Sequence, residues 1–198
     1  CSLMNPYSDL LLSVCLGIGL SAACGFRVFI PLLVLSGASL IGSVHLVPEL
    51  AWMGTPAAFW TFATAAVFEV AAYYIPWVDH LMDTIAGPAA AVAGALVMAS
   101  SLTDMGPLLK WTLAVIAGTG SAALVQGSTM LARGLSTTLT GGMGNPAVST
   151  GEAVGAVVLS LLAIVLPVMA ALAAVGLILF MIRKACRVRK AGKTGKPA

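Results

Sequence analysis

Two ionisable residues stand alone inside long apolar stretches of the sequence. They are Arg27 in the first stretch and Glu69 in the second, both near the middle of a predicted span. A charged side chain at the centre of a membrane-spanning helix costs about 2.5–3.5 kcal/mol on insertion scales. We therefore expect the two to lie within salt-bridge distance. The pair is either a purely architectural ion pair or functional, with Arg27 attracting anions and Glu69 exchanging protons.

Polar residues recur along the fourth apolar stretch at spacings of three, four or seven, which places them on one face of a helix. This polar face consists of Thr119, Gln126, Thr129, Arg133 and Ser136 or Thr137. It is expected to point into the bundle or into a wet cavity, although interhelical hydrogen bonding alone would also explain it. The predicted path for an ion or solute is lined by Arg27, Glu69, Gln126, Thr129 and Arg133.

An acidic cluster precedes the third apolar stretch. Asp79 and Asp83 are four residues apart and His80 lies three before Asp83, so a helix could present them together to a divalent cation. We favour the alternative in which Asp79 or Asp83 caps a helix that begins near Thr84. Glu152 is assigned to the same kind of role, in the first turn of the last helix, where a carboxylate meets the helix dipole.

The composition excludes a water-soluble globule. Of the 198 residues 60% are hydrophobic and 9% are charged, against about 25% charged in an ordinary soluble domain, and the mean hydropathy is +1.03. The net charge of +3 does not indicate nucleic acid, because seven of the ten Lys and Arg residues lie in the last sixteen positions. The sequence therefore predicts an integral membrane protein with a basic flank.

About 20 apolar residues of helix cross a bilayer, and a polytopic bundle of about five spans follows. The predicted fold is all-α, with spans near residues 9–41, 56–75, 84–102, 108–135 and 151–183. The first and last spans are long, and we interpret both as helices kinked at Pro31 and Pro167; the alternative makes Pro167 the boundary between a fifth and a sixth helix. Residues 134–151 are expected to be irregular.

The basic residues set the predicted topology. Residues 1–183 form one transmembrane domain and 184–198 a basic tail in the cytoplasm, which with five spans puts the N-terminus outside. Small residues at four-residue spacing, Ala86, Ala90 and Gly94 and then Ala114, Gly118 and Ala122, predict close helix packing. Because 198 residues make a narrow bundle with few interior positions, we expect a homo-oligomer.

Enzymatic chemistry is not expected. The sequence has no Ser-His arrangement and no His-Glu-x-x-His motif, and His80 is the only histidine near carboxylates. Its four cysteines form neither a CxxC pair nor a ligand set with histidine. We therefore predict no metal and no cofactor.

Several motifs together resemble the bacterial DUF4126 membrane proteins, over nearly the whole chain. They are residues 25–33 (GFRVFIPLL), Phe68-Glu69, residues 75–83 (IPWVDHLMD), Asn145-Pro146 and residues 149–152 (STGE). The chain departs from the family pattern at Tyr73-Tyr74, in place of an Asp-Lys pair, and at Ala153, in place of an acidic residue. The resemblance implies a polytopic protein of the bacterial inner membrane and supplies no activity, because the family's function is unknown.

The sequence thus favours a small transporter or channel for an ion or small polar solute. The alternative is a non-transporting membrane scaffold or lipid-binding protein, in which the charged groups merely pair. The expected partners are the lipid bilayer, a small ion or solute and further copies of the chain, with no nucleic acid.

Overall fold

The computed structural model of the protein describes residues 6–103, 105–141 and 143–193. Within these residues every regular element is a helix, which confirms the all-α bundle. The helices are α1 (Pro6–Cys24), α2 (Phe29–Leu40), α3 (Pro56–Ala72), α4 (Pro76–Ser101), α5 (Pro107–Leu113), α6 (Gly120–Thr140), α7 (Asn145–Val165) and α8 (Pro167–Lys193). A 3₁₀ helix, Pro48–Gly54, precedes α3, and six π-helical residues, Ala114–Thr119, join α5 to α6.

In the part of the chain that the structure describes, three helical stretches are long and apolar enough to cross a membrane by themselves: Thr84–Ser101, Pro107–Leu139 and Asn145–Val165. Four shorter apolar helices accompany them, namely Ser8–Cys24, Phe29–Leu40, Pro56–Ala72 and Pro167–Phe180. By length and composition these helices make the chain a membrane protein.

The central helix is α1, which packs against α4, α6, α7 and α8. Residues 19–24, at its end, are all buried. Ser21 in α1 donates a hydrogen bond of 2.7 Å to the carbonyl oxygen of Gly94 in α4. One turn earlier in α1, Gly17 contacts Met98, one turn later in α4. The two helices are therefore antiparallel.

α2 runs antiparallel to α3. The N–H of Phe29 at the start of α2 donates to the carboxylate of Glu69 near the end of α3, at 3.0 Å. Near the other end of α2, Gly37 faces Phe59 in the first turn of α3. The connection after α2 meets the end of α4, where the N–H of Val47 donates to the carbonyl oxygen of Ser100, so α2 runs parallel to α4 and antiparallel to α1. The chain therefore turns back on itself between α1 and α2.

The first predicted span is thus a hairpin and not one helix kinked at Pro31. The interruption covers residues 25–28, and Pro31 lies in the first turn of α2, where a missing N–H is tolerated. Gly25 permits the turn, because a methyl group added there would lie 2.6 Å from the Cβ of Val125 and closer still to the carbonyl oxygen of Ala122.

The connections define two ends of the bundle. At the Lys110 end, formed by residues 41–55, 102–103 and 105–110, the N–H of Val47 donates to the carbonyl oxygen of Ser100 at 3.3 Å. At the Tyr74 end, formed by residues 72–76, 140–141 and 143–150, the hydroxyl groups of Tyr74 and Thr150 are 2.8 Å apart. The hairpin brings the start of α1 to the Lys110 end, whereas the five-span topology puts the N-terminus and residues 43–55 on opposite sides.

The last predicted span is interrupted at Leu166, directly before Pro167. A methyl group added at Gly19 would lie 3.0 Å from the Cβ atoms of both Ala163 and Ala170. Those two atoms are therefore within about 6 Å of each other, where seven residues of straight helix would separate them by about 10 Å. The chain bends sharply here around α1.

Two further sequence expectations are decided by the packing. The small-residue prediction is confirmed, because a methyl group added at Gly94 would lie 2.8 Å from the Cβ of Ala122, and Gly94 and Gly118 contact each other through their backbones. The predicted irregular stretch 134–151 is wrong, since α6 continues to Thr140 and α7 begins at Asn145. Hydroxyl groups there bond to their own helix, as Thr138 does to the carbonyl of Leu135 at 2.9 Å.

Candidate functional site

The hairpin turn carries Arg27 into the bundle, where only 1% of the residue is exposed. Its Nη2 atom donates to the carbonyl oxygen of Ser149 at 3.1 Å and to the hydroxyl oxygen of the same residue. Nη2 also lies 3.5 Å from Oε2 of Glu152, and the guanidinium carbon is 3.8 Å from the centre of the Tyr73 ring. The turn of one hairpin thus meets the end of α3 and the beginning of α7.

Glu152 holds a second arginine at the same place. Nε of Arg133 in α6 donates to Oε1 of Glu152 at 3.1 Å, and Nη2 donates to Oε2. The guanidinium carbon of Arg133 is 4.1 Å from the centre of the Tyr73 ring. We call Arg27, Tyr73, Arg133, Ser149 and Glu152 the arginine cluster. One carboxylate and one aromatic ring serve two buried cations in it.

The predicted ion pair between Arg27 and Glu69 is wrong. Both carboxylate oxygens of Glu69 accept backbone hydrogen bonds instead, from the N–H groups of Val28 at 2.8 Å and Phe29 at 3.0 Å. These N–H groups begin α2 and have no partner within it, and backbone donors in a membrane must be satisfied by protein. Glu69 is therefore the cap that makes a helix start tolerable inside the bundle.

The cluster lies toward the Tyr74 end and not at mid-span. Glu69 is three residues from the end of α3, and Tyr73 is the residue that terminates it. The exposed hydroxyl groups of Tyr74 and Thr150 contact each other, and these residues directly follow Tyr73 and Ser149 of the cluster in sequence. The prediction from the apolar stretches that Arg27 and Glu69 lie near mid-span is therefore wrong, because hydropathy does not report where the backbone ends a helix.

The remaining path residues, Gln126 and Thr129, lie on α6 one to two turns before Arg133. Gln126 and Thr129 are buried together with Arg133, whereas Leu124 and Leu131 are 47% and 60% exposed. The Thr129 hydroxyl donates to the carbonyl oxygen of Gln126 at 2.9 Å. The polar face of α6 therefore points into the bundle.

The acidic cluster and Glu152 are separate features. The side chains of Asp79, His80 and Asp83 lie outside the described residues. Their helix begins at Pro76, eight residues before Thr84, so the two aspartates lie inside it and the predicted N-capping at Thr84 is wrong. Glu152 is also not in the first turn of its helix, because α7 begins seven residues earlier, and its side chain binds the two arginines.

Arg27 is incompletely satisfied. Its Nε and Nη1 atoms are buried and have no hydrogen-bond partner, so three of its five N–H bonds donate to nothing. A buried donor left unpaired costs about 1–3 kcal/mol, and more when it is charged. Arg27 and Arg133 also share a single carboxylate in direct contact, that of Glu152, while the Glu69 carboxylate accepts hydrogen bonds from the backbone at the start of α2.

Two members of the cluster, Tyr73 and Ser149, are not found by reasoning from charge. Signals exist in the sequence: Tyr73 follows Glu69 by four residues, and Ser149 precedes Glu152 by three, so each shares a helix face with a charged residue. An apolar groove of about 580 Å³ reaches the hairpin turn at Val28, between α2 and α4, and its lining includes none of the predicted path residues.

The family described as Domain of unknown function (DUF4126) matches residues 14–187 of the chain. The matched region contains the second half of α1, all of α2 and the whole arginine cluster. No curated protein and no solved structure matches the chain.

Proposed function

We propose that this chain, which belongs to the DUF4126 family, is a small transporter or channel for an ion or small polar solute. The proposed path runs through the polar interior of the bundle along Arg27, Glu69, Gln126, Thr129 and Arg133. The observation that carries the proposal is the interrupted hairpin, which places a buried, partly unpaired guanidinium where backbone N–H groups begin a helix.

Interrupted helices are the usual location of binding sites in secondary transporters. Their free backbone groups and helix ends coordinate the solute. Non-helical backbone at membrane depth is otherwise tolerated only where protein or water covers it. The turn at residues 25–28, with its cap from α3, has this character.

The buried polar face of α6 supports a path rather than an isolated site. Gln126 and Thr129 continue from Arg133 along one face, and Gly25 at the turn packs against the backbone N–H of Gln126. The hairpin turn and the polar face are therefore in direct contact, so a movement of the turn would shift the backbone of α6 at Gln126.

Flux measurement tests the proposal directly. The purified protein is reconstituted into liposomes and screened against a panel of ions and small metabolites, with protein-free liposomes and Gln126→Leu as comparisons. We expect flux of at least one solute, reduced in Gln126→Leu. Absence of flux for the entire panel in folded, correctly inserted protein would contradict the proposal.

Cysteine accessibility tests the path itself. Single cysteines at Gln126, Thr129 and Leu124 are introduced into a variant whose four native cysteines are replaced, and the intact protein is treated with a membrane-impermeant thiol reagent. Labelling at 126 and 129, with Leu124→Cys unlabelled in lipid, is the expected result. Equal protection at all three positions would favour the scaffold alternative.

We also propose the cellular setting that the sequence indicates. The chain is placed in the bacterial inner membrane with its basic C-terminal tail in the cytoplasm. We propose that it acts without enzymatic chemistry and as a homo-oligomer, with the bilayer and a small solute as its partners. Reporter fusions at both termini and the mass of the detergent-solubilised protein test these two points.

The second candidate function is a non-transporting scaffold or lipid-binding protein. It is supported by the extent to which Glu152 pairs with both arginines and by the burial of all five path residues. In that case the charged groups fix the register of α6, α7 and the hairpin, and the flux assay gives no signal.

A further inference from the structure

We infer that Arg27 binds a small monovalent anion, of the size of a halide or nitrate, inside the arginine cluster. The inference deepens the proposed function, on which it rests for the role of the site in transport. It stands on the geometry of the cluster for the existence of the site.

The hydrogen-bonding groups of Arg27 select an acceptor. Nη2 is saturated by Ser149 and faces Glu152, whereas Nε and Nη1 are buried and have no partner. A guanidinium offers only donors, so a ligand for these atoms has to supply electron pairs. Cations are thereby excluded as ligands of these atoms, and the positive charge of the guanidinium favours an anionic acceptor over a neutral one.

The charges around Arg27 select the sign and limit the magnitude. Arg27 and Arg133 share the single carboxylate of Glu152. The nearest further carboxylate, that of Glu69, receives two backbone N–H groups from the turn. The two guanidinium groups therefore have one carboxylate in direct contact between them, and a monovalent anion beside Arg27 would supply a second negative charge. A buried charge without such compensation is unfavourable in a low-dielectric interior.

The enclosure of Arg27 selects a small ligand. The residue is 1% exposed, and Tyr73, which lies over its guanidinium, is 4% exposed. Such enclosure favours a free anion of a few atoms over a larger ligand. A phospholipid headgroup would bring two acyl chains with it, and Arg27 does not reach the lipid-facing surface.

The first experiment measures anion-dependent thermal stability of the purified full chain in detergent. Chloride or nitrate is titrated against sodium gluconate at constant ionic strength, so that only the size of the anion changes. We expect the melting temperature of the wild-type protein to rise and to saturate with chloride and with nitrate. Equal melting temperatures in chloride and gluconate would overturn the inference.

Variants assign the effect to Arg27. Arg27→Gln is expected to abolish the response. Arg27→Lys is expected to raise the half-saturating chloride concentration about tenfold, because lysine offers a point charge in place of a planar set of donors. The matched control is Lys110→Gln, which removes another buried cation at the opposite end and should keep the wild-type response. If Arg27→Gln does not fold, Arg27→Lys decides. A wild-type response in Arg27→Lys or a persistent one in Arg27→Gln overturns the inference.

Two further arms separate the possible sources and the proposed function. Stabilisation by phosphatidylglycerol in nanodiscs, without any chloride response, would assign the site to a lipid headgroup and overturn the free anion. A saturable chloride response together with no flux in liposomes would support the site and overturn the transport function. Chloride flux that is unchanged in Arg27→Lys would support transport and overturn Arg27 as its anion site.

Discussion

The two ends of the bundle each bury a cation and treat it differently. At the Lys110 end, Nζ of Lys110 lies 3.0 Å from Oε1 of Glu49, and the two side chains are 6% and 60% exposed. At the Tyr74 end, the side chains of Arg27 and Glu152 are 0% and 5% exposed. The carboxylate of the first pair is therefore largely exposed, whereas both side chains of the second pair are enclosed by protein.

This difference follows from the side chains and from where the chain places them. Lysine has a flexible stem whose ammonium can reach a surface partner while the carbon atoms remain buried. Arg27 is fixed in a turn, between the ring of Tyr73 and the backbone of α7, and cannot move its head to the surface. A buried ion pair repays its desolvation only when the remaining donors are satisfied. The comparison therefore places the incompletely satisfied buried cation at the Tyr74 end.

Removal of Glu152 should have the largest effect of the changes that test this comparison. Glu152→Gln leaves two buried guanidinium groups without their carboxylate, and breaking such a pair costs about 3–5 kcal/mol in soluble proteins. We expect a loss of this order in the free energy of unfolding, measured by denaturant titration in detergent micelles. Glu49→Gln at the other end is the matched control and should cause little loss. Similar losses for the two variants would contradict the distinction between the ends.

Glu69 provides the second test, because each end also has a helix cap. Glu69 receives the first N–H groups of α2 from across the bundle, and the Thr55 hydroxyl receives the N–H of Ala58 at the start of α3, at 3.2 Å. Hydrogen bonds to a charged group contribute about 1.5–3 kcal/mol, and a local neutral cap typically about 1 kcal/mol.

Glu69→Gln should accordingly destabilise the protein more than Thr55→Ala does, by the same titration. Hydrogen exchange locates the effect: the amides of Val28 and Phe29 should exchange faster in Glu69→Gln and not in Thr55→Ala. Unchanged protection of these two amides would mean that the turn is held by other contacts.

The sequence predicts the fold class and identifies the buried charged residues. It does not predict which groups these residues bind. Hydropathy identifies the helices because burial in lipid depends on composition. It cannot separate α1 from α2, since the turn at residues 25–28 is itself apolar apart from Arg27 and depends on a cap from α3. The pairing of Arg27 with Glu69 followed from the cost of isolated charges. It neglected the backbone donors of an interrupted helix, which compete for the same carboxylate.

Tyr73 gives a smaller effect that tests the aromatic part of the arginine cluster. Both guanidinium carbons lie within 4.1 Å of the ring centre, and a desolvated cation–π contact contributes about 2 kcal/mol. Tyr73→Leu should therefore destabilise the protein by about 1–2 kcal/mol more than Tyr73→Phe, which keeps the ring and loses only the hydroxyl. Equal losses in the two variants, measured in the same titration, would assign the contribution to the hydroxyl group and remove the ring from the cluster's energetics.

The smallest expected effect lies at the Lys110 end and depends on pH. A hydrogen bond from its own backbone and one from Lys110 hold the pKa of Glu49 below its ordinary value of 4.5. Because the pKa is lower in the folded protein, ionised Glu49 stabilises the fold above the ordinary value, and this contribution is lost as the pH falls through the lowered pKa. The melting temperature of the wild type should therefore exceed that of Glu49→Gln slightly at neutral pH, and the two should converge once the pH falls below the lowered pKa of Glu49. The difference should also shrink at about 1 M salt, since an exposed carboxylate is screened. A difference that persists in acid and in salt would mean that Glu49 acts through packing, and the two ends would then no longer differ in the way their ion pairs are solvated.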